Sequence, residues 1–264
     1  MNNKKYRYIN QEENEMLDTK IKFYKGRVAL NVLAKDLANA KEIYEAAEGH
    51  VVVGLLSKNY DKIEDGVAEV KEYLKELGVV SVGLGAGDPS QFEKAALISC
   101  ETDPGHVNQV FTGAGYAAGA LRAKGHSRTY INVLMSPTGE PGKVKISTGE
   151  LSEKEKPAIV DVDTAVAMLK DMRAHSVKFF PMGGLKSIEE LKEVVKASER
   201  GKLELIEPTG GIDLENFEEI LKVCVESGIP RIMPHVYGSI IDKETGLTRT
   251  EDVKKLYEII KKLV

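Results

Sequence analysis

The sequence holds few of the features that assign a class at once, and each gap excludes something. It has only two cysteines, Cys100 and Cys224, far apart in helix-like stretches, so no disulfide framework is available. Two lone thiols suit a reducing compartment, and the cytoplasm is the expected location. Neither charge sign is in excess: 37 basic and 41 acidic residues leave a net charge of −4, which gives no electrostatic case for a nucleic-acid partner. No stretch approaches the roughly 18 apolar residues of a membrane span. The opening MNNKKYRYINQEENEMLDTK lacks the apolar core of a signal peptide. Neither HxH nor HExxH spacing occurs, so no metal site is expected, and the scattered His106 and His235 are read as core or hydrogen-bonding residues. No GxGxxG follows the first apolar run. Gly83-Leu84-Gly85-Ala86-Gly87 lacks the required third glycine and reads as a close-packed turn.

What is present is an alternation. With 264 residues, 42% apolar and 30% charged, the chain is long enough for one barrel of about 250 residues or for two small domains. Residues 1–20 carry no apolar period and are expected to form a flexible arm. From Ile21 onward, short apolar runs recur at Val28–Leu33, Val51–Leu56, Val79–Leu84, His106–Val110, Tyr130–Met135, Val177–Phe180, Leu203–Ile206 and Arg231–Met233. Amphipathic patterns lie between them, near 36–48, 60–77, 90–102, 113–124, 162–174, 187–199 and 214–227, with a last one at 251–263. Ser187 and Asp213 are expected as N-caps. Eight strand–helix repeats predict an α/β fold, a single-domain (β/α)8 TIM barrel over residues 21–264, with an open doubly wound sheet as the alternative. The one long irregular stretch, 136–159, follows the fifth run and is read as a lid, a subunit contact or a plain surface excursion.

In such a barrel the polar residues at the C-terminal strand ends are the ones available for chemistry. These are Asn31, Ser57, Lys58, Asp88, Asn108, Gln109, Ser136, Lys178, Glu207, Thr209, His235 and Ser239. Within Ser-Val-Lys-Phe-Phe-Pro at 176–181, Val177 and Phe179 share one face and Lys178 the other. If the apolar pair meets the helices, Lys178 points into the barrel, where desolvation favours the neutral amine that attacks carbonyls. The blander alternative is a lysine facing solvent. Gly210-Gly211, directly after the seventh run, lets backbone approach an anion closely, and Tyr237-Gly238-Ser239 follows the eighth. Barrels commonly bind phosphate between these two loops. A tight strand-to-helix turn explains the glycines equally well.

Val-Lys-Phe-Phe-Pro followed by Pro-Thr-Gly-Gly-Ile resembles the class I 2-keto-3-deoxy-6-phosphogluconate (KDPG) aldolases, which include 4-hydroxy-2-oxoglutarate aldolases. The stretches HVVVGLLSKNY, SVGLGAGDP, HVNQVFTGAGY, SPTGEPGKVKISTG and EPTGGIDLENFEEIL are similar to a longer, divergent branch linked to amino-sugar-acid (glucosaminate) catabolism. The resemblance implies a Schiff base between Lys178 and pyruvate. It also implies a phosphate site from Thr209, Gly210 and Gly211 with Gly238 and Ser239, no cofactor, and a homo-oligomer. One departure stands out. The better-known branch has a glutamate and an arginine on strand two, and Val53-Gly54-Leu55-Leu56-Ser57-Lys58 contains neither. The base role then falls to Glu207 or Asp88, with Glu207 preferred, and Lys58 is the candidate for the substrate carboxylate.

The expected reaction is cleavage of 2-dehydro-3-deoxy-6-phosphogluconate, or a close sugar-acid phosphate, to pyruvate and glyceraldehyde 3-phosphate. The alternatives are a 4-hydroxy-2-oxoglutarate aldolase, a phosphosugar isomerase or epimerase, and a non-catalytic barrel that binds a phosphometabolite.

Overall fold

The computed structural model describes residues 16–264. Ten strands form in order: β1 (Leu30–Leu33), β2 (Val51–Leu56), β3 (Val80–Gly83), β4 (Gly105–Gln109), β5 (Tyr130–Met135), β6 (Lys143–Lys145), β7 (Ile159–Asp161), β8 (Ser176–Phe179), β9 (Leu205–Pro208) and β10 (Arg231–Ile232). The helices are α1 (Leu37–Ala46), α2 (Ile63–Leu77), α3 (Phe92–Thr102), α4 (Ala114–Ala123), α5 (Val162–Asp171), α6 (Ile188–Arg200), α7 (Phe217–Val225) and α8 (Thr250–Leu263). Eight of the strands make one parallel sheet in the order β1-β2-β3-β4-β5-β8-β9-β10, each followed by a helix. The sheet is curled, and backbone hydrogen bonds run between the segments that flank β1 and β10. Ala29 N–H donates to the Ile232 carbonyl at 3.1 Å and Ile232 N–H to that of Arg27 at 2.8 Å, while Val236 N–H reaches Asn31 O at 2.9 Å. The fold is an α/β barrel. Among the described residues no helix is long and apolar enough to cross a membrane.

Runs such as VVVGLL in β2 pack one set of side chains against the helices, because successive residues alternate faces. The other set fills the interior, and the interior is layered. At the N-terminal end Ala29, Val52, Val79, Tyr130, Leu205 and Met233 form an apolar cluster of their own with Leu17, Ile21 and Phe23. Polar side chains occupy the next layer, and a cavity opens above them.

Several expectations are corrected. Residues 1–15 of the expected arm lie outside the described residues. Residues 16–20 do not hang free: Leu17 is buried, its N–H donates to Glu204 at 2.8 Å, and Lys20 pairs with Asp103 at 2.8 Å. Asp213 caps the turn before α7 rather than the helix, accepting from Glu215 and Asn216 N–H at 3.0 Å each, because three residues of turn precede Phe217. Ser187 occupies the N-cap position of α6 without a side-chain hydrogen bond. The 136–159 stretch gains structure of its own as the antiparallel pair β6–β7. Thr148 Oγ1 accepts from Phe111 N–H at 2.7 Å, and Glu190 accepts from Thr138 and Gly139 N–H at 2.6 and 3.0 Å.

Candidate active site

Strand register places the central pair. Lys178 on β8 lies beside Glu207 on β9, and Thr209 is bridged to His235 after β10. The side chains of Lys178, Glu207 and His235 meet inside the barrel. Lys178 Nζ contacts Glu207 Oε1 directly, and His235 Nδ1 stands 2.8 Å from each of them. Glu207 is fully buried, so it faces these groups and not solvent. Its second oxygen accepts from Asn31 Nδ2 at 3.3 Å. His106 Nε2 approaches that oxygen to 3.2 Å, at an angle that leaves the nitrogen without a good hydrogen bond.

A polar layer supports the pair. Ser81 Oγ bonds His106 Nδ1 at 2.8 Å and accepts from Asn108 at 3.2 Å; Asn132 donates to Asn108 at 2.9 Å and accepts from Ser176 at 2.6 Å. From above, Tyr237 Oη donates to Asn31 Oδ1 at 3.0 Å, and its ring lies against His235 with centroids 3.5 Å apart. Gly54 makes that reach possible, since a Cβ there would sit 2.1 Å from Tyr237 Oη. Buried polar groups are tolerated when each finds a partner, and here most do.

Burial dominates the electrostatics. It pushes the Lys178 amine below the ordinary lysine range, while Glu207 pulls the other way. Burial would raise Glu207, but Lys178 and the two imidazoles hold it well below the usual carboxylate range. Burial, reinforced by the Lys178 charge, pushes His235 down to about 4. Its imidazole is therefore neutral near pH 7. Burial and Glu207 raise the Tyr237 phenol well above its ordinary value.

Above the pair opens a cavity of about 520 Å³, the size of a small-metabolite site. Lys178, His235 and Tyr237 line it, as do Lys58, Thr209, Gly210, Gly211, Gly238 and Ser239. The two glycine pairs serve a close backbone approach: Gly184 N–H donates to Gly210 O at 2.8 Å, and a Cβ on Gly211 (φ +71°) would meet Gly184 N at 2.6 Å. Ser239 Oγ donates to Ile212 O at 2.8 Å, tying the loop after β10 to the loop after β9. Lys58 runs its stem over Gly85 at the opposite wall, where a Cβ would be 2.3 Å from Lys58 Cδ.

Asp88 is not brought to this site. It lies outside the cavity lining, and its carboxylate turns back to accept from Ser90 N–H at 3.0 Å and Ser90 Oγ at 2.7 Å. Nor does any residue of the 136–159 excursion line the cavity. Sequence reasoning read His106 and His235 as core or hydrogen-bonding residues, which they are, but gave neither a catalytic role, named Tyr237 only within its loop, and did not single out Asn132. The available signal was one polar residue at matching height in successive apolar strands.

Residues 24–244 match the family model described as KDGP aldolase. The chain belongs to the KDGP aldolase family. The matched region includes Lys178, Glu207 and His235. A 2-dehydro-3-deoxy-phosphogluconate aldolase of Salmonella typhimurium (strain 14028s / SGSC 2262) is 59% identical over 244 residues, 92% of this chain and 99% of that protein. Among solved structures, one described as native KDPGal superposes with a TM-score of 0.55 at 10% identity, covering 92% of this chain and 98% of that one. The 3-hexulose-6-phosphate synthase from Salmonella typhimurium gives 0.56 at 14% identity, covering 89% and 100%. At such identities these two establish the barrel fold alone, whereas the family rests on the model and the 59% relative.

Proposed function

We propose that this KDGP aldolase family member is a class I aldolase, a carbon–carbon lyase that cleaves 2-dehydro-3-deoxy-6-phosphogluconate, or a close sugar-acid phosphate, to pyruvate and glyceraldehyde 3-phosphate. The observation that carries the reading is a desolvated lysine at the floor of a metabolite-sized cavity, set against a buried carboxylate. Lys178, as the neutral amine, adds to the C2 carbonyl; uptake of one proton and loss of one water give the iminium, which accepts the electrons of the breaking C3–C4 bond. Glu207 is the counter-ion that holds the amine in place. Thr209, Gly210, Gly211, Gly238 and Ser239 share one side of the cavity and are assigned the substrate phosphate. Lys58, on another wall, is assigned the carboxylate as a point charge.

We read the barrel as the closed, single-domain (β/α)8 form, a reading supported by the hydrogen bonds between the β1 and β10 edges. Exposed Leu151 and Ile159 on the excursion favour a homo-oligomer contact there, and two free buried thiols, Cys100 and Cys224, suit the cytoplasm.

The test is reductive trapping. Pyruvate and sodium borohydride should add a 1-carboxyethyl group to Lys178, located by peptide mapping, and Lys178→Met should take up none. Turnover without any adduct would sink the Schiff-base mechanism and favour an isomerase or epimerase; sugar-phosphate binding without turnover would favour a non-catalytic barrel. Faster cleavage of 4-hydroxy-2-oxoglutarate than of the phosphorylated acid would move the substrate assignment.

A further inference from the structure

Glu207 contacts the amine but has no surface on the cavity, so its carboxylate cannot meet a substrate hydroxyl. His235 bridges that gap. Its Nδ1 is 2.8 Å from Glu207 Oε1 and 2.8 Å from Lys178 Nζ, and its ring lines the cavity. With Lys178 as the neutral amine, the fixed demand on Nδ1 comes from the carboxylate, which only accepts, so in the neutral ring Nδ1 carries the hydrogen and donates it to Glu207. That leaves Nε2 with a lone pair. No protein group among the described residues bonds Nε2, although the buried nitrogens around it are nearly all paired. Tyr237 lies tilted against the ring and is itself pinned to Asn31, which holds the ring in place.

We propose that His235 is the proton-transfer residue of the reaction, receiving the C4 hydroxyl proton on Nε2, and that Glu207 is a positioning residue that acts through Nδ1. This inference rests on the Schiff-base reading above. As the C3–C4 electron pair moves into the iminium to give the enamine, the hydroxyl proton passes to Nε2 and the aldehyde leaves. The same proton then returns from Nε2 to C3 of the enamine, giving the pyruvyl iminium, and one water releases pyruvate, the free amine and the proton taken up when the iminium formed. One group serves both transfers because it is restored to neutrality at the end. The charged or titratable groups that face the ring are Lys178, Glu207, His106 and Tyr237.

The decisive variant is His235→Asn, whose amide N–H stands where Nδ1 donates to Glu207 while the cavity-facing nitrogen is gone. It should still form the pyruvate–borohydride adduct on Lys178. Cleavage, and deuterium exchange into the methyl group of pyruvate followed by NMR, should both fall on the order of 100-fold or more. His235→Ala should show the same losses and recover in part with added imidazole, a response that a purely structural role would not give. His235→Asn retaining exchange and cleavage within about threefold would overturn the assignment, as would loss of the adduct together with turnover. If wild-type protein fails to form the adduct, it is the Schiff-base reading that falls. If the adduct forms and only the His235 losses are missing, that reading stands and the proton carrier is another group.

Discussion

Replacing Lys178 by methionine keeps most of the stem and removes the charge, leaving Glu207 ionised in the barrel interior. Breaking a buried ion pair by deleting one partner costs about 3–5 kcal/mol, because the surviving charge is desolvated and uncompensated. Here Oε1 keeps His235 Nδ1 at 2.8 Å and Oε2 keeps Asn31 at 3.3 Å with His106 nearby, so the lower figure of about 3 kcal/mol applies. For a domain of this size each kcal/mol moves the midpoint by about 2–4 °C, so Lys178→Met should melt about 6–12 °C below the parent at pH 7. A pair variant completes the experiment. Lys178→Met with Glu207→Gln removes both charges, and the amide oxygen still accepts from His235, so the deficit should shrink to about 1 kcal/mol. Urea unfolding at pH 7 measures both. A single variant within 1 kcal/mol of the parent, or a pair variant no better than the single, would refute the claim that Glu207 is held as a buried anion.

Two further outcomes follow from the packing and the protonation states. Gly54→Ala would set a Cβ 2.1 Å from Tyr237 Oη and 3.2 Å from Leu33 Cδ2, displacing the phenol from Asn31. A loss of about 2–4 kcal/mol in urea unfolding is expected, with a less-than-additive loss when combined with Tyr237→Phe; strict additivity would mean that the two do not meet. Burial pushes both His235 and His175 down to about 4 from 6.5, so the unfolded chain binds protons first as pH falls. Stability should therefore hold above about pH 6.5 and decline from there to about pH 4, where the depressed carboxylates Glu207, Asp103 and Asp252 carry the decline on into stronger acid. His175 keeps some exposure, and its share is about 2 kcal/mol. His175→Asn preserves an acceptor for the Ile131 N–H that His175 Nδ1 now takes, and should flatten part of the decline in a melting series; an unchanged slope would mean that the His175 imidazole is not held neutral by burial.

The periodicity of the chain carried the architecture, because strands buried on both faces must read as continuous apolar runs and helices as stripes. Lys178 was legible for the same reason: Val177 and Phe179 on one face leave the lysine on the other. What surrounds it was not legible, because register decides it. Glu207 is adjacent only once β8 and β9 align, and His235 joins through a bridge to Thr209. No spacing along the chain announces a contact between residues 28 apart, one on β9 and one past the end of β10. Asp88 shows the opposite case. Its strand-end position suggested a base, but Asp88-Pro89-Ser90 is also the signature of an Asx turn, and the local hydrogen bonds to Ser90 won. Leu17 and Ile21, four apart in an otherwise polar segment, were the overlooked hint that the chain is packed before residue 21.

The segment from Leu17 to Phe23 stops the end of the barrel away from the cavity, and its partners come late in the chain. Leu17 N–H meets Glu204 across 187 residues, and its carbonyl accepts from Arg231 across 214. The hydrogen bonds between the segments flanking β1 and β10 span a similar length of chain. During synthesis the first described residues must therefore wait, solvated, until nearly the whole chain has emerged. Neither the floor nor the last seam can form on a half-made protein. A loop closure of that length is costly in entropy and slow, and it couples the two ends of the chain in one cooperative step. Completion of the barrel and burial of the Lys178–Glu207–His235 cluster then coincide, so the desolvation that depresses the lysine arises only in the finished molecule.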